Sequence, residues 1–200
     1  MRRMLVVLVL AAALLIACGE RPAKDIGLQP SDVRGLKQCP NSGNVDHLLH
    51  AEGQQLDVLS TDYLRADEQA WTEARATGAT DSWAAIYSPT TRDWRSCAYS
   101  FSSGYATGAD SVVIKFHTAD DARIAWSSGL LTGGMSPTDT YRLYQPVAGD
   151  ATGLGPDSVV YTGKNGLGVA YWQKGSTLCL LEVGDKLTAE TLARKIDARM

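Results

Sequence analysis

Polar and hydrophobic positions alternate most cleanly from Ser111 to His117. Val112, Ile114 and Phe116 fall on one side and Val113, Lys115 and His117 on the other, which predicts a strand. Thr118 then stands where a helix cap belongs, with Asp121 in the capping-box position and Ala122, Ala125, Trp126 and Leu130 at helical spacing up to Gly133-Gly134. Near the C-terminus, Asp157–Thr162, Leu167–Gln173 and Ser176–Val183 read as three strands. They are separated by Lys164-Asn165-Gly166, whose Asn-Gly pair favours a tight turn, and by Gly175. A last helix is expected from a Thr188 cap, with Leu187 and Leu192 as a staple and Ile196 continuing the face.

The first half is less regular. Val45–Ala51 is a short helical candidate. Ser60–Gly78 is a longer one, capped by Ser60 or Thr61, with Leu64 and Trp71 on one face and Gly78 as its stop. Trp83–Tyr87 is a compact strand candidate, and Trp94, Cys97/Ala98 and Phe101 follow helical spacing. Pro137–Thr152 reads as a loop with an edge strand around Tyr141–Val147. Helices alternate with strands early and a meander closes the chain. The expected class is α+β, a largely antiparallel sheet with helices packed on one face. Gly108-Ala109-Asp110-Ser111-Val112-Val113 is echoed by Gly155-Pro156-Asp157-Ser158-Val159-Val160, within longer matches that begin at Ala106-Thr107 and Ala151-Thr152. The echo has two readings, an ancient duplication of a half-domain or common punctuation before a strand, and the differing sequences after the two copies favour the second.

The start of the chain has a different pattern. Arg2 and Arg3 precede an uncharged apolar run, Met4–Ala17, shorter than the roughly twenty residues that a membrane-spanning helix needs. It ends in Leu15-Ile16-Ala17-Cys18, which resembles the lipobox of bacterial lipoproteins. That resemblance implies that residues 1–17 are a signal peptide. Cys18 would be the lipidated first residue, anchoring the protein on the extracytoplasmic side of the bacterial cell membrane through more than one acyl chain. Residues 18–30, rich in Gly, Pro and charge and without apolar periodicity, are expected to be a flexible tether, and residues 31–200 a single globular domain.

Loss of Arg2 and Arg3 takes Lys+Arg from 19 to 17 against 22 Asp+Glu, a net charge of about −5. Without a basic stripe the composition argues against a nucleic-acid partner and against electrostatic docking on anionic lipid. With Cys18 spent on lipid, Cys39, Cys97 and Cys179 remain, enough for one bridge in a disulfide-permissive compartment. Cys179 lies in the apolar run Leu178–Leu181 and reads as a buried hydrophobe. Cys39 and Cys97 lie among polar and turn residues and are the expected disulfide.

Candidate chemistry is sparse. His47 and His50 stand three apart beside Asp46 and Glu52, but His117 is the one further imidazole, so the pair reads as surface and no metal site is expected. Neither Gly-x-Ser-x-Gly nor Ser-x-x-Lys occurs. Gly153-Leu154-Gly155-Pro156 and Gly166-Leu167-Gly168 lack a third glycine and a following helix, so they read as turns and no cofactor is expected. Asp120-Asp121 reads as the first turn of a helix. Trp71, Trp94, Trp126 and Trp172 are the remaining candidates, for a core or for the wall of an apolar pocket.

Asp32–Ala51, Trp71, Gly78-Ala79, Tyr87, Cys97, Thr152–Val160 and the final helix together resemble small exported lipoproteins of actinobacteria and other bacteria. A cysteine near Cys39 and one near Cys97 recur in such sequences, which implies the same pairing. The general plan is also similar to the Mog1/PsbP-like lipoproteins. No catalytic residue comes with either resemblance. The expectation is therefore a membrane-anchored, non-enzymatic domain that binds a protein partner or a small ligand. The alternatives are a carrier or sensor with an apolar pocket for a lipid or hydrophobic compound and, further off, an enzyme of unrecognised type.

Overall fold

The computed structural model describes residues 21–54, 61–91, 97, 108–132, 145–162, 167–184 and 186–200. Five helices lie among them: α1 (Ala23–Ile26), α2 (Val45–Gly53), α3 (Thr61–Thr77), α4 (Ala119–Ser127) and α5 (Lys186–Asp197). The strands are β1 (Lys37–Gln38), β2 (Ala79–Ser88), β3 (Ala109–Phe116), β4 (Val147–Ala148), β5 (Ser158–Thr162), β6 (Gly168–Lys174) and β7 (Thr177–Val183). They form one sheet in the order β1-β2-β3-β7-β6-β5-β4, antiparallel at every joint. The fold is α+β.

The central strands are buried on both sides, so the sheet needs two covers. On the first face Ile86, Val112, Ile114, Phe116, Leu178, Leu180 and Tyr171 pack with Leu48 of α2, Trp71 and Ala74 of α3, and Ala122 and Ala125 of α4. On the second face Val113, Trp172, Cys179, Leu181 and Val183 pack with Ala23 and Ile26 of α1, Leu28, and Ala189, Leu192 and Ile196 of α5. Helices thus lie on both faces, not on one. The alternation at Val112–Phe116 was legible, but the intervening Val113 and Lys115 are buried too.

Residues 21–30 correct the expected tether and the domain boundary at residue 31. Ala23, Ile26 and Leu28 are buried in the second core. Asp81 Oδ2 accepts from the Ala23 amide at 2.7 Å, and Ser111 Oγ accepts from the Leu28 amide at 3.0 Å. The Lys115 ammonium donates to the Arg21 carbonyl at 2.9 Å, and Arg199 donates to the carbonyls of Ile26 and Gly27. The segment is too short for its apolar residues to show a period, and its polar bonds run to positions far along the chain.

β2 is twice the predicted length for a related reason. Thr80, Asp81 and Ser82 look like loop residues, yet Asp81 holds the start of α1 and Ser82 Oγ accepts from the Val45 amide at the start of α2, one on each face of the sheet. The capping box of α4 forms in both directions: Thr118 Oγ1 accepts from the Asp121 amide and Asp121 Oδ2 from the Thr118 amide, each at 3.1 Å. α5 begins at Lys186, so Thr188 lies inside the helix and is not its cap. The loop expected over 137–152 contains β4 and a 3-10 turn, Gly149–Thr152. The Lys164–Gly166 turn, the Gly133-Gly134 stop, Ser60, Trp94 and Phe101 lie outside the described residues.

Candidate functional site

Cys39 and Cys97 form a disulfide, with a Cα–Cα distance of 5.6 Å, and both are buried. The Cys39 amide donates to the Ile86 carbonyl at 2.8 Å, and Asn41 Nδ2 donates to the Cys97 carbonyl at 2.7 Å. The bridge therefore ties the segment entering α2 to the chain between β2 and β3. A buried bridge of this kind belongs to an oxidising compartment and fits an extracytoplasmic location. Cys179 is free and fully buried, and burial pushes its thiol well above the ordinary range. One thiol should therefore be invisible to Ellman's reagent in the native protein and titrate only in denaturant; a native thiol reacting within minutes would contradict this packing.

Between α2 and α3 runs an open groove of about 650 Å³. α2 contributes Asp46, Leu49, His50, Gly53 and Gln54, and α3 contributes Glu68, Trp71, Thr72 and Arg75. α2 starts where it does because Asn44 caps it, its side chain accepting from the His47 amide at 2.8 Å. Val45, Leu48 and Glu52 then turn inward, leaving Asp46, Leu49, His50 and Gly53 to the groove. The two helices are stitched across it. Trp71 Nε1 donates to Asp46 Oδ1 at 2.8 Å, and Arg75 Nη1 stands 3.4 Å from the same oxygen. The Arg75 guanidinium also lies over the Trp71 ring, 5.5 Å from its centre. His50 Nε2 is 3.0 Å from Gln54 Nε2, one helical turn on.

Glu52 and Asp67, neighbours in sequence of two groove residues, are set back from it. Glu52 is 4% exposed, and its Oε1 has no hydrogen-bond partner among the described residues. Burial, then the facing Asp67 carboxylate, raises Glu52 to about 8; burial raises Asp67 to about 7. A second acid pair lies in the sheet. Asp110 of β3 and Glu182 of β7 are directly opposite, their side chains on the first face between Ile86 and Val169. Part of Asp110 reaches the surface, but its Oδ1 is buried without a hydrogen-bond partner among the described residues. Burial raises Asp110 to about 8, and burial together with Asp110 raises Glu182 well above the usual carboxylate range.

The histidines do not converge. His47 Nε2 is 3.2 Å from the Pro40 carbonyl, His50 faces the groove, and His117 is exposed beyond β3. No group of three or more His, Cys, Asp or Glu side chains able to hold a metal ion occurs among the described residues. The tryptophans are likewise spread out. Trp71 walls the groove, Trp126 stacks on Tyr171 with ring centres 6.3 Å apart, and Trp172 is fully buried on the second face with Nε1 3.2 Å from Met200 Sδ. Gly153 (φ 74°) and Gly155 (φ 105°) are turn residues before β5. Asp120 and Asp121 occupy the first turn of α4.

Cys18 lies outside the described residues, and no helix among those described is long and apolar enough to cross a membrane. The groove and both acid pairs went unseen in the sequence. The signal that could have found the groove was Asp46, His50 and Gly53 together on the outer face of one short helix.

No family model and no curated protein matches the chain. Among solved structures it is similar to the extracellular domain of PknH from Mycobacterium tuberculosis, at 15% identity over 64% of this chain and 68% of that chain, with a TM-score of 0.40. At that identity and TM-score the likeness assigns no role to this chain.

Proposed function

We propose that this is a lipid-anchored extracytoplasmic binding domain whose α2–α3 groove takes a small polar ligand. The groove itself supports the reading. Its volume lies within the usual few hundred to about a thousand Å³ of ligand sites. It combines Leu49 and the Trp71 edge with hydrogen-bonding groups from His50, Gln54, Glu68 and Thr72. Binding is favoured over catalysis because Asp46 is held by Trp71 and Arg75, His50 stands within reach of Gln54, and Glu52 and Asp67 do not line the groove. An apolar carrier is disfavoured, since Trp71 and Trp126 are built into the first-face core and Trp172 into the second, with no common cavity shown among the described residues. The anchor rests on Leu15-Ile16-Ala17-Cys18 behind the apolar run; membership of the small exported lipoproteins and likeness to the Mog1/PsbP-like group are proposed on the same residues as before.

The test is native mass spectrometry of the full chain taken from its own host's membranes. A co-purifying small molecule in the native protein, lost from a Thr72→Trp variant that fills the groove, supports the reading. A ligand retained by that variant sinks the groove assignment. Replacing Cys18 by Ala should move the protein from the membrane to the soluble fraction, and continued membrane retention would point instead to an uncleaved anchor.

A further inference from the structure

If Cys18 carries the lipid, as proposed above, the leash between lipid and domain is very short. The chain is already fixed at Arg21. Its carbonyl accepts from the Lys115 ammonium at 2.9 Å, and its guanidinium donates to the Arg199 carbonyl at 3.0 Å. Ala23, next but one, is bound to Asp81 and completely buried. Only Gly19 and Glu20 separate Cys18 from Arg21. Three Cα–Cα steps span at most about 11 Å whatever conformation they take. A domain held so closely cannot tumble freely; the surface around Arg21 must stay at headgroup level.

That surface belongs to the second face of the sheet. It carries α1 and the C-terminal end of α5, brought together by Arg199 on the Ile26 and Gly27 carbonyls and by its pairing with Asp32. Lys24 on α1 and Arg194 and Lys195 on α5 are exposed there. Acids share this face, since Asp25 is exposed beside Lys24 and Lys195 Nζ stands 3.7 Å from Asp32, so it is the short leash and not a cationic patch that brings it to the headgroups. The α2–α3 groove is on the opposite face, across the sheet and its helix layers, on the order of 20 Å away.

We infer that the α1/α5 face is a membrane-contact surface, held flat on the lipid by the two-residue leash, and that the groove is thereby turned toward the aqueous side. The occupant of the α1/α5 face is the bilayer that carries the anchor. The leash alone selects the face, because the cations there are partly neutralised by Asp25 and Asp32 and could not dock an unanchored chain.

Depth-dependent quenching tests this. The acylated full chain is purified from its host's membranes and reconstituted in phosphatidylcholine vesicles containing a quarter phosphatidylglycerol and headgroup-level quencher lipids. A fluorophore is placed on Asp25→Cys at α1 or on Gln69→Cys at α3, both exposed positions outside the groove lining. Buried Cys179 does not compete for the label. Quenching is expected to be several-fold stronger at position 25 than at position 69. A fifteen-residue Gly/Ser insert between Glu20 and Arg21 should bring the two toward equality. Equal quenching in the chain without the insert, or stronger quenching at position 69, overturns the proposal. So does a bias that survives the insert unchanged, because the leash would then not be its cause. Mass analysis of the N-terminal peptide separates the two readings: an unacylated Cys18 overturns the anchor and this inference together, whereas an acylated chain with equal quenching overturns this inference alone.

Discussion

Replacing Asp110 by Asn should stabilise the protein at pH 7.5 by about 1–3 kcal/mol and leave it nearly unchanged at pH 4. Asp110 and Glu182 are opposite each other on neighbouring central strands, and burial holds both carboxyls above their ordinary range. In the unfolded chain the Asp110 carboxyl ionises near pH 4, whereas in the fold it ionises at about 8. Below pH 4 both states carry the proton and the group contributes nothing to the pH dependence. Between about 4 and 8 the folded state binds more protons than the unfolded one, so stability falls as pH rises. Above 8 the curve flattens. Asn is neutral in both states and removes that loss, while keeping a donor and an acceptor for Glu182. Relaxation and water entry limit the gain well below the full electrostatic cost. For a domain of this size the melting temperature should rise by roughly 3–10 °C at pH 7.5. Melts of the two proteins at pH 4 and 7.5 decide it. A destabilised variant at pH 7.5, or a difference of equal size at both pH values, would show that the pair is solvated or bound to an unlike charge.

This pair also shows where the sequence stops being legible. The strand containing it was visible through Val112, Ile114 and Phe116, and the last three strands through their turns. Alternation reports only that one face is apolar, however, and Asp110 falls on the buried side of an element whose predicted start lay one residue later, at Ser111. Whether an acid at a strand end is solvated depends on the strand beside it, and the pairing of β3 with β7 joins residues about seventy positions apart. Residues 21–30 were misread in the same way. Nothing local marks Ala23, Ile26 and Leu28 as core, because the partners that bury them are on β3 and α5. The helices α2 and α3 were legible as amphipathic segments, but the groove between them depends on the Asp46–Trp71 bond, twenty-five residues apart. The Thr118–Asp121 box survived because both partners lie within one turn, although the equally local Thr188 cap did not, the helix starting at Lys186.

The disulfide carries the larger effect. Converting both Cys39 and Cys97 to Ser should cost about 4 kcal/mol, and thermal unfolding should fall by roughly 8–16 °C. The bridge joins residues 58 apart, so in the unfolded chain it closes a long loop and removes much of that loop's freedom. In the fold the loop contains α2, α3 and β2, the elements that build the groove and half of the first core. Without the bridge, Cys39 keeps its backbone bond to Ile86, and Asn41 can still reach the Cys97 carbonyl. The native arrangement therefore remains attainable, and the change acts mainly by releasing the unfolded chain. Two buried sulfurs exchanged for hydroxyls add a smaller penalty. Unfolding of the oxidised protein, the reduced protein and the double variant separates these contributions. Reduction alone should produce most of the loss, with the serines adding the remainder. Because Cys179 is buried and unpaired, the reduced chain should regain the Cys39–Cys97 bridge on reoxidation, provided it is reoxidised folded. A melting temperature within 2 °C of the oxidised protein after complete reduction would mean that the loop is already constrained without the bridge, and that α2 and α3 hold their places through the Trp71–Asp46 contact and core packing alone.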